Sequence, residues 1–350
     1  MSPKNPCRRS FVPLLLAVFI LSNLYSCKKD EMVTPETPTS TDSSASVSHK
    51  FTGTVTTASA AAVQNYAESP VINLSNASNL TISGKSIAGG NVASITLSNC
   101  HDVHITYCKL YNSTNVGIYL YNCYNITINQ NYFTNVSTGV YVDHSTQGGI
   151  IVNGNQFLNM QGPFPRGQFV QFNNVNGANN QIKYNKGENI LGQSYPEDAI
   201  SLYQCNGFPK SPISVYGNRI RGGGPSASGG GIMIGDSGGS YIVASDNILV
   251  NPGQYGIAIS GGNHNSIINN QVYGARQNFT NIGIYVETIG AAAVSNSTVS
   301  GNSVKFYNSA GAINGAWFDS VLAMPTGWGA NNWNANIDAS ILPATLINDH

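Results

Sequence analysis

An apolar residue followed by strict alternation returns along this chain at a spacing too short for a helix-containing unit. Ile118 and Leu120 alternate with Tyr119 and Tyr121, the two-residue period of a strand. The slot of Ile118 refills at Ile72, Ile95, Val140, Val170, Ile200, Ile232, Ile257 and Ile284. The first three steps are 22 or 23 residues and the later ones run from 25 to 32, so each unit has a constant core and a variable loop. A unit of this size, holding two or three short strands, cannot bury its apolar face alone. Stacked as coils with parallel pairing between neighbours, the units bury one continuous core. The pattern predicts an all-β fold, a single-stranded parallel β-helix of about nine coils, near 40–45 Å long at roughly 4.8 Å per coil.

A second slot repeats in step. Asn131, Asn155, Asn185, Asn218, Asn247, Asn270 and Asn302 each stand two residues before an apolar residue, Gly187 being the exception. Stacked Asn side chains can hydrogen-bond along the stack, and Asn tolerates the left-handed backbone of a tight corner. A chain merely rich in Asn would not place them in one slot.

The repeat divides the chain. Lys4, Arg8 and Arg9 precede an apolar run, Phe11 to Leu24, too short to span a membrane comfortably, and the run ends in Leu-Tyr-Ser-Cys at Cys27. Residues 1–26 read as a signal segment similar to that of bacterial lipoproteins, with Cys27 as the lipidated first residue of the mature chain. Lys28, Lys29, Asp30 and Glu31 resemble the export signal of surface lipoproteins in the Bacteroidota, which implies a lipid anchor in the outer membrane and exposure at the cell surface. Residues 27–50, dominated by Thr, Ser and Pro, read as a tether. Residues 51–70 are expected to cap the first coil, with a short helix in Ala58–Ala67, because an open coil exposes unpaired strand edges. The β-helix is assigned to 71–318 and a C-terminal cover to 319–350.

Sixteen basic and sixteen acidic residues balance, and only 9% of the chain is charged. That argues against a nucleic-acid partner, which needs clustered Lys and Arg. A monomer is expected. Cys100, Cys123 and Cys205 share one slot. Neighbouring coils bring Cys100 and Cys123 to about 4.8 Å, within disulfide range. Stacking alone does not give the Cβ approach a bridge requires, so stacked free thiols are the favoured reading.

Outward slots of the first strand form ladders. One includes Tyr119, Tyr141 and Tyr285, and the next includes Tyr121, Asp143, Asn173, Tyr203 and Gly235. Tyrosine presents a flat apolar face with a polar edge, as a sugar ring requires. Tyr119, Tyr121, Tyr141, Asn173, Tyr203 and Tyr285 are therefore candidate polysaccharide-binding residues. The extra residues of the long coils fall at 160–167, 191–197, 221–229 and 274–281, in the corner leading into the first strand. They should wall a groove beside the tyrosines, centred on the coils of Val170, Ile200 and Ile232. Slot arithmetic also brings Glu188, Glu197, Asp198 and Arg221 together at that corner, with a structural Glu188–Arg221 ion pair as the plain alternative. Asp236 is expected some 15–20 Å from Asp198 at strand rise.

The repeats from Val71 to Phe318 resemble those of right-handed parallel β-helix proteins such as pectate lyases, some alginate lyases and polygalacturonases. The resemblance implies a polysaccharide lying along the first-strand face. For a lyase acting on an acidic glycan it implies Arg221 or Arg219 as the base, with Glu197, Asp198 and Glu188 as Ca²⁺ ligands; Asp198 counts among the catalytic candidates. Arg219-Ile220-Arg221 is only loosely similar to the Arg-Ile-Lys of polygalacturonases, and no Gly-His-Gly occurs. With Asp198 and Asp236 expected too far apart for paired carboxyls, the spacing disfavours hydrolysis. Two functions stay open: a surface polysaccharide lyase, and a non-catalytic glycan-binding or adhesion lipoprotein.

Overall fold

The computed structural model describes residues 65–163, 165–226 and 228–347. The signal segment, Cys27, the tether and most of the expected N-terminal cap lie outside these residues. Three parallel sheets run side by side along the described chain, two of ten strands and one of nine. Each turn of chain adds one strand to each sheet. The first sheet runs from Ile72–Ser75 to Ala316–Phe318, the second from Ser78–Ser83 to Thr298–Ser300, and the third from Ala67–Glu68 to Ser303–Phe306. The fold is a right-handed parallel β-helix.

Hydrogen-bond register places the repeating apolar residues in one column. Ile72 lies opposite Ile95, then Ile118, Val140, Val170, Ile200, Ile232, Ile257 and Ile284 follow in unbroken pairing. From Ile95 onward all are buried. The column has one more member than the spacing predicts, because Ala316 pairs with Ile284 and gives the first sheet a tenth strand. A small Ala there breaks the apolar signature without breaking the register.

The asparagine slot is a continuous buried ladder. Asn218 Nδ2 donates to Asn247 Oδ1 at 2.9 Å and to Ile182 O at 3.0 Å, while its Oδ1 accepts from the Asn185 backbone N–H and from Asn185 Nδ2. The same set links Asn131, Asn155, Asn185, Asn218, Asn247, Asn270 and Asn302. Every amide is satisfied by the coil above and the coil below, which is the condition for burying it without penalty. The left-handed backbone expected of these asparagines belongs instead to the residue before each one. Gln130, Gly154, Tyr184, Gly217, Asp246, Asn269 and Gly301 have φ between 54° and 70°. Cys108, for which the sequence suggested no slot, heads the ladder and donates its N–H to Asn131 Oδ1.

Gly187, the exception in the apolar slot, is explained by packing. A Cβ there would stand 2.2 Å from the ring of Phe169, which itself stacks on Phe157 at 5.5 Å. One aromatic ring fills the space of two side chains. Cys100, Cys123 and Cys205 are buried and free, and Cys100 N–H points at Cys123 Sγ across 3.4 Å.

The ends depart from expectation. Ala67 is in a strand paired with Lys85, not in a helix. At the C-terminus the repeat outlasts Phe318: Thr326 bridges to Thr298, Asn332 bridges to Ser303, and Asn331 extends the ladder from Asn302. Beyond this partial coil the tail runs back along the outside of the third sheet. Leu342 and Leu346 bury themselves against Val250.

Candidate functional site

The outward ladders of the first sheet form as spaced. Tyr119 lies opposite Tyr141, Tyr141 opposite Gln171, and Tyr285 opposite Trp317. In the second ladder one assignment changes. Tyr203 pairs with Asp236 and not with Gly235, because an extra residue bulges the Ile232–Ser240 strand. Gly235 takes the bulge at φ 69°, where a Cβ would meet Gly261 O at 2.2 Å. The bulge puts a carboxylate where alternation placed a glycine.

A groove of about 910 Å³ lies over this face. The long corners wall it as expected, through Pro165 and Arg166, Glu197 and Asp198, Ser228, and Asn281. Four of the six candidate binding residues line it: Tyr141, Asn173, Tyr203 and Tyr285. Tyr119 and Tyr121 stand on the same sheet one coil before Tyr141, outside the lining, and Tyr119 OH donates to Asp143 Oδ2 at 3.2 Å.

The four charged groups expected at one corner do not converge. Arg221 leaves the third sheet on its outer side, pairs with Glu188 Oε1 at 3.2 Å, and donates to the carbonyls of Pro343 and Ala344 in the returning tail. Arg219 donates to Gly217 O and Asp246 O. Neither arginine lines the groove, nor does Glu188. These outward positions follow from strand parity, since Ile220 between the arginines is the inward residue. Glu197 and Asp198 do line it, at the end of the corner that leads into Ile200–Asn206.

Each acid holds the next coil's corner. Glu197 accepts from the hydroxyls of Ser226 and Ser228. Asp198 Oδ1 accepts from Tyr255 OH and from the Gly230 N–H. Burial pushes the Asp198 carboxyl up to about 7, the two hydrogen bonds pull it down, and the charges of Glu197 and Asp236 push it up again. Asp236 is also raised, chiefly by burial. The Asp236 charge is the last of the influences that hold the Asp198 carboxyl up. Asp236 stands opposite Tyr203, five residues along from Asp198 as the spacing implies, and both residues line one groove.

Sequence reasoning left Asp236, Glu287, Arg166 and Tyr255 out of the candidate site residues, though all four line the groove. Tyr255 shares the parity of Ile257, so alternation assigns it to the core; at the strand's start it instead reaches Asp198. Glu287 follows the inward Val286, so alternation turns it outward.

The expected calcium ligands do not make one site. Glu188 pairs with Arg221 on another sheet, both Glu197 oxygens accept hydroxyl protons, and the Asp198 carboxyl is raised by burial. Among the described residues no three His, Cys, Asp or Glu side chains form a metal-binding group.

The profile of a family described as "Right handed beta helix region" matches residues 48–186. Among solved structures, the chain is similar to a mutant tailspike protein of E. coli bacteriophage HK620 in complex with a hexasaccharide. There the identity is 13% and the TM-score 0.41, over 65% of this chain and 46% of that one. It is also similar to the catalytic domain of a GH87 α-1,3-glucanase in complex with nigerose, at 13% identity and TM-score 0.39, over 77% of this chain and 64% of that one. The chain thus spans about half to two thirds of these proteins. Nothing about this chain's chemistry follows from likenesses so distant. No curated protein matches the chain.

Proposed function

We propose that the groove binds a polysaccharide and hydrolyses a glycosidic bond, with Asp198 as general acid and Asp236 as its carboxylate partner. The observation that carries this reading is the buried Asp198 carboxyl, raised to about 7 in the same open groove that Asp236 lines. A carboxyl that keeps its proton toward neutrality and a second carboxyl in the same groove supply the acid and the base of glycoside cleavage. Asp198 gives its proton to the glycosidic oxygen as the bond to the anomeric carbon breaks. Asp236 takes a proton from the attacking water, or attacks the anomeric carbon itself and is later released by water. Solvent then returns the proton to Asp198. Elimination on a uronate is less well supported, because the arginines it would use as base sit on the outer face of another sheet. Tyr255 and Tyr285, raised by burial, are poor bases near neutrality.

Activity should be full at mildly acidic pH and should fall as pH rises through about 7, where Asp198 loses its proton. Incubation with a panel of neutral and uronate-containing glycans, read by reducing ends, by ultraviolet absorbance and by the NMR anomeric configuration of the first product, checks this. Inversion assigns Asp236 as base and retention assigns it as nucleophile. Products carrying an unsaturated uronate would restore the lyase, and no products with tight binding would leave a binding protein. That second reading has its own support, because Glu197 and Asp198 both clamp the 226–230 corner and could simply shape the groove.

The reading places the protein outside the cell, monomeric, and anchored in the outer membrane by lipid on Cys27. One modified cysteine carrying more than one acyl chain holds a membrane stably, and the Thr- and Pro-rich segment after it has nothing apolar to do so. Cys27→Ala should move the exported protein from the membrane fraction to the soluble one. Retention in the membrane fraction would show that lipid on Cys27 is not the anchor.

A further inference from the structure

Charge is divided along the groove. Glu197, Asp198, Asp236 and Glu287 line its middle and far end, and Arg166 is the one cation among its described lining residues. Arg166 projects from the 160–167 corner over the ring of Tyr141, with its guanidinium carbon 4.0 Å from the ring centroid. Stacking fixes the plane of the guanidinium and leaves its N–H edge free to take a ligand.

No described carboxylate neutralises it. Arg166 makes no ion pair with a described residue. The acid at this end, Asp143, is already engaged by Tyr119 OH, by Asn173 Nδ2 and by His144 Nδ1. Its oxygens are taken by the sheet's own polar groups, so the half-buried guanidinium keeps its charge and its planar fork for something else. The Val140–Asp143 strand lies two coils from Ile200–Asn206, roughly 10 Å along the axis. A substrate held here is therefore touched by a cation near one sugar and by carboxyls near the next.

We propose that the groove selects a glycan of mixed charge, with an anionic substituent, carboxylate or sulfate, on the sugar over Tyr141 and a neutral sugar at Asp198 and Asp236. Arg166 grips the anion through paired N–H donors while Tyr141 carries the ring, and the acids further along repel a second negative sugar. A uniformly anionic chain is refused at the acids. This inference rests on the reading of the groove as a glycan site, not on cleavage.

Binding to the catalytically silenced Asp198→Asn protein tests it without turnover. The probes are a neutral gluco-oligosaccharide hexamer, the same hexamer with one terminal C6 carboxylate, the same with one terminal C6 sulfate, and the fully C6-oxidised hexamer. The singly anionic hexamers should bind about tenfold more tightly than the neutral one at low salt, and the preference should shrink as salt screens it. A further Arg166→Gln change should erase the preference, and Arg166→Lys should keep part of it. Comparing carboxylate with sulfate identifies which anion fits. The fully oxidised hexamer should bind more weakly than the singly charged ones. Equal affinity for neutral and singly charged hexamers, or a preference that survives Arg166→Gln, overturns the inference while leaving the glycan site standing. No binding by any hexamer overturns both.

Discussion

Replacing Asp198 with Asn should remove turnover and, at pH 8, raise the melting temperature. The two effects have one cause. The folded protein holds this carboxyl at about 7, well above an ordinary Asp, so the native state binds a proton that the unfolded chain releases. Stability from this group is full below the ordinary carboxylate range and is lost as pH rises through about 7. Above that, a charge sits buried against Glu197 and Asp236. Asn keeps an Oδ1 to accept from Tyr255 and Gly230, and carries no charge. Calorimetry should show little difference from the parent at low pH and a gain of several degrees at pH 8. Loss of a general acid should lower kcat by about 10² to 10⁴. A variant that loses activity and also melts lower at pH 8 would mean that the ionised carboxylate supports the fold, and the assignment as acid would fail.

Asn218→Ala should be among the most damaging single changes in the chain. It removes the two donors that satisfy Asn247 Oδ1 and Ile182 O, and the acceptor of two Asn185 protons. With buried groups left unpaired above and below, the cost should reach about 3 kcal/mol or more. Asn331→Ala, at the half-buried end of the same ladder, should cost roughly 1–2 kcal/mol, because water can reach the group it abandons. Denaturant unfolding of the two variants checks the gradient. Equal costs at Asn218 and Asn331 would mean that the ladder is not what holds the coils in line.

The columns were legible because a coil leaves each position one environment. An inward Ile and a stacked Asn can be recognised wherever they recur, and the register found from Ile72 to Ile284 is the one the spacing implies. Corner chemistry was not legible in this way. One inserted residue at Gly235 moved Asp236 into the groove, and no periodicity announces a bulge. Arg221 was assigned to the groove by its closeness in sequence to the long corner, yet parity turns it outward from another sheet. Arg166 was passed over because it lies inside an irregular segment, where only the folded chain shows what it stacks on.

The tail's route gives the molecule a lock against peeling. In a stack where each coil touches only its neighbours, loss of order starts at an end and moves inward one coil at a time. Here the described tail, up to residue 347, does not stop at the last coil. It returns to the Arg219–Arg221 strand, three strands back in the third sheet, where Arg221 holds the carbonyls of Pro343 and Ala344, and it packs against Val250 on the way. Pulling on the described tail therefore loads the Arg219–Arg221 strand before it loads the last coil. A protease or translocating motor that seizes the tail must release that clasp before the first coil can unwind.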